Sequence, residues 1–321
     1  MRVTCIIPST CTGMVLTYLR KCLDSLRKSS ELSKVELRVL VVADSSSVKN
    51  PFRSKIDLFL YSGEKPGFAQ MNNIGIDEAL KTFSPDYILL INDDARVDES
   101  FFSVFLKTIS DTKGDIIVPL VFDYKGKKID SFGAEYFSSG FARNSVKINT
   151  PTTIAPANCV FYKASLLKRI KKTFGFYFNP ILKFYFEDVE LSVRASSLGA
   201  NIIKVQDLIA YHFGSLTSIK KSYFRTFYSY RNVIWLIIIG WPWRVIFKNI
   251  VKIKLVQGFA ALKGTWHFGP GLYLKAIWLT LLNFKTLLSI RKTTLNGYDD
   301  DFEFESILNR HMYRTLKGFY V

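Results

Sequence analysis

The sequence predicts a doubly wound α/β sheet, and three observations lead there. Short apolar runs alternate with amphipathic stretches of helical length through the first half of the 321-residue chain, as parallel strands joined by crossover helices do. The runs end on polar or turn-forming residues, at Pro8-Ser9-Thr10, Asp44-Ser45-Ser46-Ser47 and Asn92-Asp93-Asp94. The third of these follows Tyr87-Ile88-Leu89-Leu90-Ile91, which reads as a buried strand delivering two carboxylates to the carboxyl edge of the sheet. Ligands bind along that edge in open α/β sheets.

The elements follow in order. Residues 3–7 read as a first buried strand, being too short an apolar stretch for a signal peptide. Residues 16–26 suit a helix, 37–42 a second strand and 58–61 a short third. Residues 67–79 have helical apolar spacing, and 87–91 form the strand before the diacid. Further on, 116–122 read as a strand and 123–149, rich in Gly, Lys and Ser, as loops or a hairpin. Residues 157–162 suit another strand, followed by a basic helix through Lys171-Lys172. A helix from Glu187 to Leu198 is closed by Gly199, with Glu190 and Arg194 spaced to pair. Residues 202–205 return to the sheet shortly before Tyr211-His212-Phe213-Gly214-Ser215.

Lys and Arg number 44 against 27 Asp and Glu, a net charge of +17. Such a balance calls for an anionic partner: nucleic acid, a phospholipid leaflet or a phosphorylated substrate. Cys5, Cys11, Cys22 and Cys159 form no CxxC pair, which excludes a zinc cluster or disulfide framework and suits reduced thiols in a cytosolic setting. The last third changes character. From Leu208 to Tyr298 there are 13 Lys and Arg and no Asp or Glu. The longest uncharged run there, residues 232–243, is 12 long and contains Pro242, short of the roughly 20 apolar residues of a membrane span. A second run, 276–290, is broken by Lys285. Basic residues interleaved with Trp, Phe and Leu suit amphipathic helices lying in an anionic membrane interface. A helical subdomain packed on the core, or a dimer interface, is the alternative. The acidic run from Asp299 to Glu305 is either a solvated tail or folds back on the basic stretch.

Asp44, Asn92-Asp93-Asp94, Glu187-Asp188 and His212 now stand in order along the chain. Together with Phe184-Tyr185-Phe186-Glu187-Asp188-Val189-Glu190-Leu191-Ser192-Val193-Arg194, then Gly199 and Tyr211-His212, the pattern resembles the inverting glycosyltransferases of family 2. These have the GT-A (Rossmann-like) fold. Within them it looks most like the rhamnosyl- and galactofuranosyl-transferase-like enzymes of bacterial surface polysaccharide assembly. The resemblance covers about residues 1–235. It implies a doubly wound mixed sheet at 1–220, and the charge and aromatic pattern adds a C-terminal helical, membrane-associated extension at 221–298 and an acidic tail at 299–321.

The resemblance also implies roles. Asp94 matches the ligand of Mg²⁺ or Mn²⁺ and His212 a histidine completing the metal site; imidazole suits Mn²⁺ better. Asp93 is the neighbour on the nucleotide side, and Asn92 replaces the first Asp, able to accept from a ribose hydroxyl but carrying no charge. Pro8, Ser9, Thr10 and Asp44 match positions that cradle base and ribose. Lys65, Gly67 and Asn72 belong to a Gly- and Asn-containing segment by the nucleotide, and Ala157-Asn158 to a turn beside the donor sugar. Asp188 matches the general base, supported by Glu187 and Arg194. A base on one side of the anomeric carbon and a Lewis acid on the other suffice for one in-line displacement. Two departures, Asn179 where an acid is common and Glu190 for the more usual Asp, leave sugar and acceptor open.

The expected activity is metal-dependent, inverting transfer from a UDP- or dTDP-linked sugar to a lipid-linked saccharide or glycan, at the cytoplasmic face of the cell membrane. Two other classes compete. A nucleotidyltransferase also uses strand-end carboxylates and metal, but wants a basic Gly-rich first loop, and residues 8–13 contain neither Lys nor Arg. A non-enzymatic binder of membrane or nucleic acid accounts for the charge alone. No nucleic-acid partner is expected, because acid-free, aromatic basic segments suit lipid better than a phosphate-tracking groove.

Overall fold

The computed structural model describes residues 1–45, 48–63, 66–214 and 223–310. Its first strands and helices are β1 (Arg2–Ser9), α1 (Val15–Ser33), β2 (Glu36–Ala43), β3 (Leu58–Tyr61), α2 (Phe68–Thr82) and β4 (Tyr87–Ile91). Then come β5 (Ala95–Val97), α3 (Phe101–Asp111), β6 (Ile116–Asp123) and β7 (Ile129–Ser131). A hairpin, β8 (Ala134–Tyr136) with β9 (Ala142–Asn144), precedes β10 (Cys159–Lys163), α4 (Ala164–Phe174), α5 (Glu187–Ser197) and β11 (Ile202–His212). The main sheet runs β3-β2-β1-β4-β10-β6-β11-β5, with β7 on β6.

The first four strands in that order are mutually parallel. β1 lies between β2 and β4, so the chain winds outward in both directions from β1, the switch point at which open α/β sheets bind ligands. All five residues of β4 are buried, as a strand covered on both faces requires. The alternation of β1 shows the two layers. Val3, Cys5 and Ile7 share a core with α1 and α3, whereas Ile6 faces the core of α2, α4 and α5.

Beyond β4 the sheet is mixed. β10 is antiparallel to both β4 and β6, while β11 is parallel to β6 and antiparallel to β5. Helix α3 and strand β5 have no counterpart among the expected elements. The aromatic run Phe101-Phe102 with Phe105 masks a helical spacing; all three rings are buried against Phe161 of β10. The cysteines are free and buried.

The C-terminal part is helical: α6 (Tyr223–Gly240), α7 (Trp243–Phe268), α8 (Gly271–Leu282) and α9 (Phe284–Asn296), then a 3-10 turn, Phe304–Ile307. The boundary expected at 220–221 lies outside the described residues. These helices form their own core, which takes in Tyr136, Ile154, Leu182 and Val189 from the sheet-bearing part. The buried Trp241 indole donates to the Tyr136 hydroxyl at 2.6 Å. The acidic run folds back on the basic stretch: Lys248 Nζ meets Glu305 Oε2 at 2.6 Å, and Phe304 and Ile307 are buried. Among the described residues no helix is long and apolar enough to cross a membrane.

One junction between the parts bears directly on the site. Lys183, Tyr185 and Phe186 have φ of 62°, 63° and 69°, a left-handed conformation that costs a residue with a side chain roughly 1–2 kcal/mol. The loop containing them ends at the first residue of α5. Helix α6 holds it there. The buried Asn232 amide nitrogen donates to the carbonyls of Leu182, Phe184 and Tyr185 at 2.9, 2.7 and 2.7 Å. Arg231 Nη2 donates to Leu182 O at 2.7 Å. The Lys183 carbonyl accepts from Ala69 N at 3.1 Å, and a Cβ on Gly67, whose φ is +84°, would stand 2.9 Å from that same oxygen. One loop therefore fixes the start of α2, the start of α5 and the docking of α6.

Replacing Asn232 by Ala takes a donor from the buried Leu182 carbonyl and the partly buried carbonyls of Phe184 and Tyr185, at a cost of about 1–3 kcal/mol. A lowered denaturant midpoint together with a fall in kcat larger than any rise in KM is expected. Wild-type unfolding and turnover in Asn232→Ala would show that the loop is held by something else.

Candidate active site

The parallel register pairs Ser9 with Ala43, so the ends of β1 and β2 bring Thr10 and Asp44 side by side, both half-buried. Pro8 and Ser9 are buried on β1. The Ser9 hydroxyl accepts from Cys11 N at 3.0 Å and bonds Asp93 across the β1–β4 boundary. Asp93 and Asp94 are 8% and 5% exposed, an unusual place for two adjacent carboxylates. Burial, and the nearby Asp94 charge against the restraining Ser9 bond, push Asp93 up to about 7.

β11 brings the distant histidine here. His212 pairs in register with Ala95, the residue after the diacid. Its Nε2 is 3.1 Å from Asp94 Oδ1 and 3.1 Å from Asn92 Nδ2. Its Nδ1 is 2.9 Å from Asp130 Oδ2. Burial works against a charge on the ring, but Asp130 and Asp94 outweigh it and raise His212 to about 10.

Asp130 and Ser131 are site residues that sequence reasoning missed. They sit on β7, inside a Lys- and Gly-rich stretch with no motif spacing, and only the pairing of β7 with β6 brings them in. Asn158 Nδ2 reaches Ser131 Oγ at 3.1 Å and Asp130 Oδ2 at 3.4 Å. The Asn158 carbonyl accepts from Asn92 N at 3.0 Å. The adjacent Ala157 N donates to Asp188 Oδ2 at 3.3 Å. The two-residue turn thus links the diacid end of β4 to the start of α5.

Asp188 is partly buried, and Val189 N donates to its Oδ1 at 2.8 Å. Burial raises its pKa, while the Ala157 and Val189 amides hold the rise back. Glu187 is buried with one carboxyl oxygen lacking a partner. Burial, then repulsion from Asp188, push it well above the ordinary Glu range. Three acids in the first turn of α5, Glu187, Asp188 and Glu190, are favoured by the helix dipole.

Arg194 requires a correction, since it does not support Asp188. Six positions further along α5 it leaves the helix on another face. There it binds Glu190 at 2.8 and 2.6 Å and donates to the carbonyls of Phe176 and Tyr177. It is a fully buried brace for the chain before the site. Asn72 is likewise structural in its contacts: its Nδ2 returns to Phe68 O at 2.9 Å within α2, leaving Oδ1 without a partner. Gly67 touches the loop at Lys183. Lys65, Ser46 and Ser47 lie outside the described residues.

Among the described residues, no group of three or more His, Cys, Asp or Glu side chains could by itself hold a metal. A two-residue corner is present instead. Adjacent ligands of an ion bound at about 2.1 Å stand roughly 3 Å apart, and Asp94 Oδ1 and His212 Nε2 are 3.1 Å apart. The Asp130 contact at Nδ1 orients the ring so that Nε2 faces Asp94, as carboxylates behind metal-binding histidines do. Such a corner fits Mn²⁺ or Mg²⁺ that takes its other ligands from water and phosphate. Without an ion, a proton on the ring is the cation facing Asp94.

Comparison with known proteins bears on the family and the fold. A low-salt glycan biosynthesis hexosyltransferase, Agl10 of Haloferax volcanii, is 23% identical over 215 residues, 63% of this chain and 67% of that one. The fold is similar to that of GalNAc-T7, solved with UDP, GalNAc and Mn²⁺. The TM-score is 0.58 at 12% identity over 81% of this chain, which spans about half, 51%, of that structure. It is also similar to residues 1–349 of S. aureus TarS in complex with UDP-GlcNAc, with a TM-score of 0.56 at 18% identity over 93% of this chain and 89% of that one. The sheet is of the GT-A type these glycosyltransferases share. The profile of glycosyl transferase family 2 matches residues 5–171, just over half of the chain, and the protein therefore belongs to that family.

Proposed function

We propose that this glycosyltransferase moves a sugar from a nucleoside diphosphate donor to an acceptor hydroxyl with inversion, using Asp188 as the general base. The observation that carries the reading is the Ala157-Asn158 turn. It is bonded on one side to Asp188 and on the other to Asn92 and Asp130, so the base is tied by backbone to the carboxyl end of β4. The acceptor oxygen attacks the anomeric carbon, its proton passes to Asp188, and the bond from that carbon to the diphosphate oxygen breaks. Asp94 and His212 would hold a divalent ion, which supplies charge neutralisation to the departing diphosphate. Asp93 and Ser9 line the nucleotide side, with Thr10 and Asp44 at the strand ends where base and ribose are read.

UDP is the donor nucleotide favoured by GalNAc-T7 and TarS, which were solved with UDP and UDP-GlcNAc; dTDP is the alternative to be tested beside it. The Phe184-to-Arg194 segment favours a sugar of the rhamnosyl- or galactofuranosyl-transferring branch. The acceptor we assign is a lipid-linked saccharide or growing glycan of cell-surface polysaccharide synthesis, a hydroxyl nucleophile in keeping with a carboxylate base.

Glu187 has a different part. Burial and the neighbouring Asp188 both disfavour its charged form, so the negative charge at the start of α5 is held more readily on the base. In its uncharged form Glu187 does not compete for the acceptor proton.

Four outcomes follow from these roles. Asp188→Asn lowers kcat by about 10²- to 10⁴-fold while thermal shift still registers binding of UDP- or dTDP-sugars with Mn²⁺; near-normal turnover sinks the base assignment. In the wild type, kcat/KM rises with pH on an acid limb whose midpoint lies above the ordinary Asp value of about 3.9, because only the carboxylate accepts a proton. Glu187→Gln, an amide in place of a neutral acid, retains activity. A raised folded pKa means Glu187 contributes stability in full below its unfolded value of about 4.3, and loses it as pH rises through the folded value. The Gln variant should therefore lose less stability than the wild type on going to alkaline pH, as read by thermal unfolding; a parallel pH profile contradicts the neutral assignment. Finally, Asp130→Ala weakens Mn²⁺ dependence roughly 10- to 100-fold in a titration of activity against metal, with nucleotide specificity unchanged.

A further inference from the structure

Helix α7 is apolar on two sides, and the fold uses one of them. Val245, Ile253, Val256 and Ala260 are buried against the neighbouring helices. Phe247, Val251, Leu255, Leu262 and Trp266 face away from them and are exposed, Leu262 at 74% and Trp266 at 89%. Steps of four, then seven and four, set these five along a single side of the helix. Helix α8, which packs on α7, also exposes Trp278. Single exposed apolar residues are ordinary, but a continuous stripe along a helix of 26 residues, roughly 39 Å, marks a docking surface.

The charge around the stripe selects its occupant. Arg244, Lys254, Lys285 and Lys292 are exposed on α7 and α9, and Leu208 to Tyr298 holds 13 Lys and Arg without one Asp or Glu. A second copy docking by the same face would set two predominantly basic surfaces against each other, since Glu305 is already taken up by Lys248, and like charges opposed across an interface are unfavourable. A leaflet of anionic phospholipid presents what both features require: headgroup phosphates for the cations and an acyl boundary for the aromatic and aliphatic side chains.

We propose that the outer face of α7 docks the protein on an anionic phospholipid leaflet, with the helix lying in the plane of the headgroups. The membrane contact is peripheral, in keeping with the absence of a spanning helix among the described residues. The inference does not rest on the transferase reading, and its test reads binding and not turnover. It does place the enzyme where a lipid-linked acceptor would be met, because α6 of the same bundle clamps the loop before Asp188.

The test uses the full chain, sedimented with vesicles of equimolar phosphatidylglycerol and phosphatidylcholine or of phosphatidylcholine alone. Binding to the anionic vesicles that weakens as salt is raised is expected, with the tryptophan emission moving to the blue. The double variant Leu262→Glu, Trp266→Glu should lower the partition at least tenfold while unfolding at the wild-type temperature, and Phe247→Glu, Leu255→Glu at the other end of the helix should do the same. Wild-type protein left in the supernatant with anionic vesicles overturns the proposal, as does undiminished binding by both double variants. A wild-type dimer in light scattering that either double variant turns into monomers also overturns it, since the face is then covered by a second copy.

Discussion

Burying carboxylates at the end of a sheet is the constraint that organises this molecule. Asp93, Asp94, Glu187 and Glu190 are all buried, and Asp188 partly so. A charge taken out of water must be paired, hydrogen-bonded or given up, and each of these groups has a different answer. Glu190 has Arg194. Asp94 has His212. Asp188 has two backbone amides. Asp93 has the Ser9 hydroxyl and is pushed up to about 7; Glu187 has an oxygen with no partner and is pushed well above the ordinary Glu range. The fully compensated acids are those that brace the fold or face a cation. The least compensated ones, Asp93 and Glu187, lie immediately beside them in sequence, where a raised pKa eases the repulsion between neighbouring acids.

The partners of Asp93 and Asp94 come from segments far apart in the chain, which makes the site depend on the whole architecture. β11 must pair with β5 for His212 to meet Asp94, and β7 must pair with β6 for Asp130 to meet His212. The loop before α5 passes through three left-handed residues, a conformation that persists only where the surroundings over-determine it. The surroundings are Gly67 on one side, where a side chain has no room, and Asn232 on the other. Helix α6 therefore helps to place Asp188, the base we propose, though it begins after the sheet is complete. The C-terminal helices serve as a clamp inward and, on our proposal, as a membrane contact outward.

Much of this could be read from the residues. β4 is legible because five consecutive apolar residues have no solvent side, and the diacid after it because a strand's end is where charge returns. The pairing of Glu190 with Arg194 follows from helical spacing alone. The failures have physical causes as well. Phe101-Phe102 and Phe105 are bulky enough to suit a strand, and only burial against Phe161 shows the helical spacing of α3. Arg194 stands within a recognisable motif, yet its direction is set by helix geometry and by the carbonyls of Phe176 and Tyr177, which no motif encodes. Asp130 is one acid among lysines and glycines, and its importance exists only after β7 has paired. Asn232 looked like the polar start of an apolar run; its three acceptors are some fifty residues upstream.

The distribution of charge gives a reason for the cation. The chain is +17 overall, so the nucleoside diphosphate of the proposed donor would be drawn towards it from a distance. At the carboxyl end of β4 the local sign reverses, with Asp93, Asp94 and Asp130 gathered around His212. A diphosphate cannot settle against those acids on its own. Protonated His212 offsets one negative charge, and Asn92 in place of an acid removes another. What remains is still acidic, and a neutral imidazole bound to an ion of two positive charges meets it better than an imidazolium carrying one. The same corner then has net attraction for phosphate oxygens. An acidic pocket in a basic protein is poorly suited to a bare anion and well suited to an anion that arrives with its metal, which is why we propose Asp94 and His212 as the groups that would hold an ion at the leaving diphosphate.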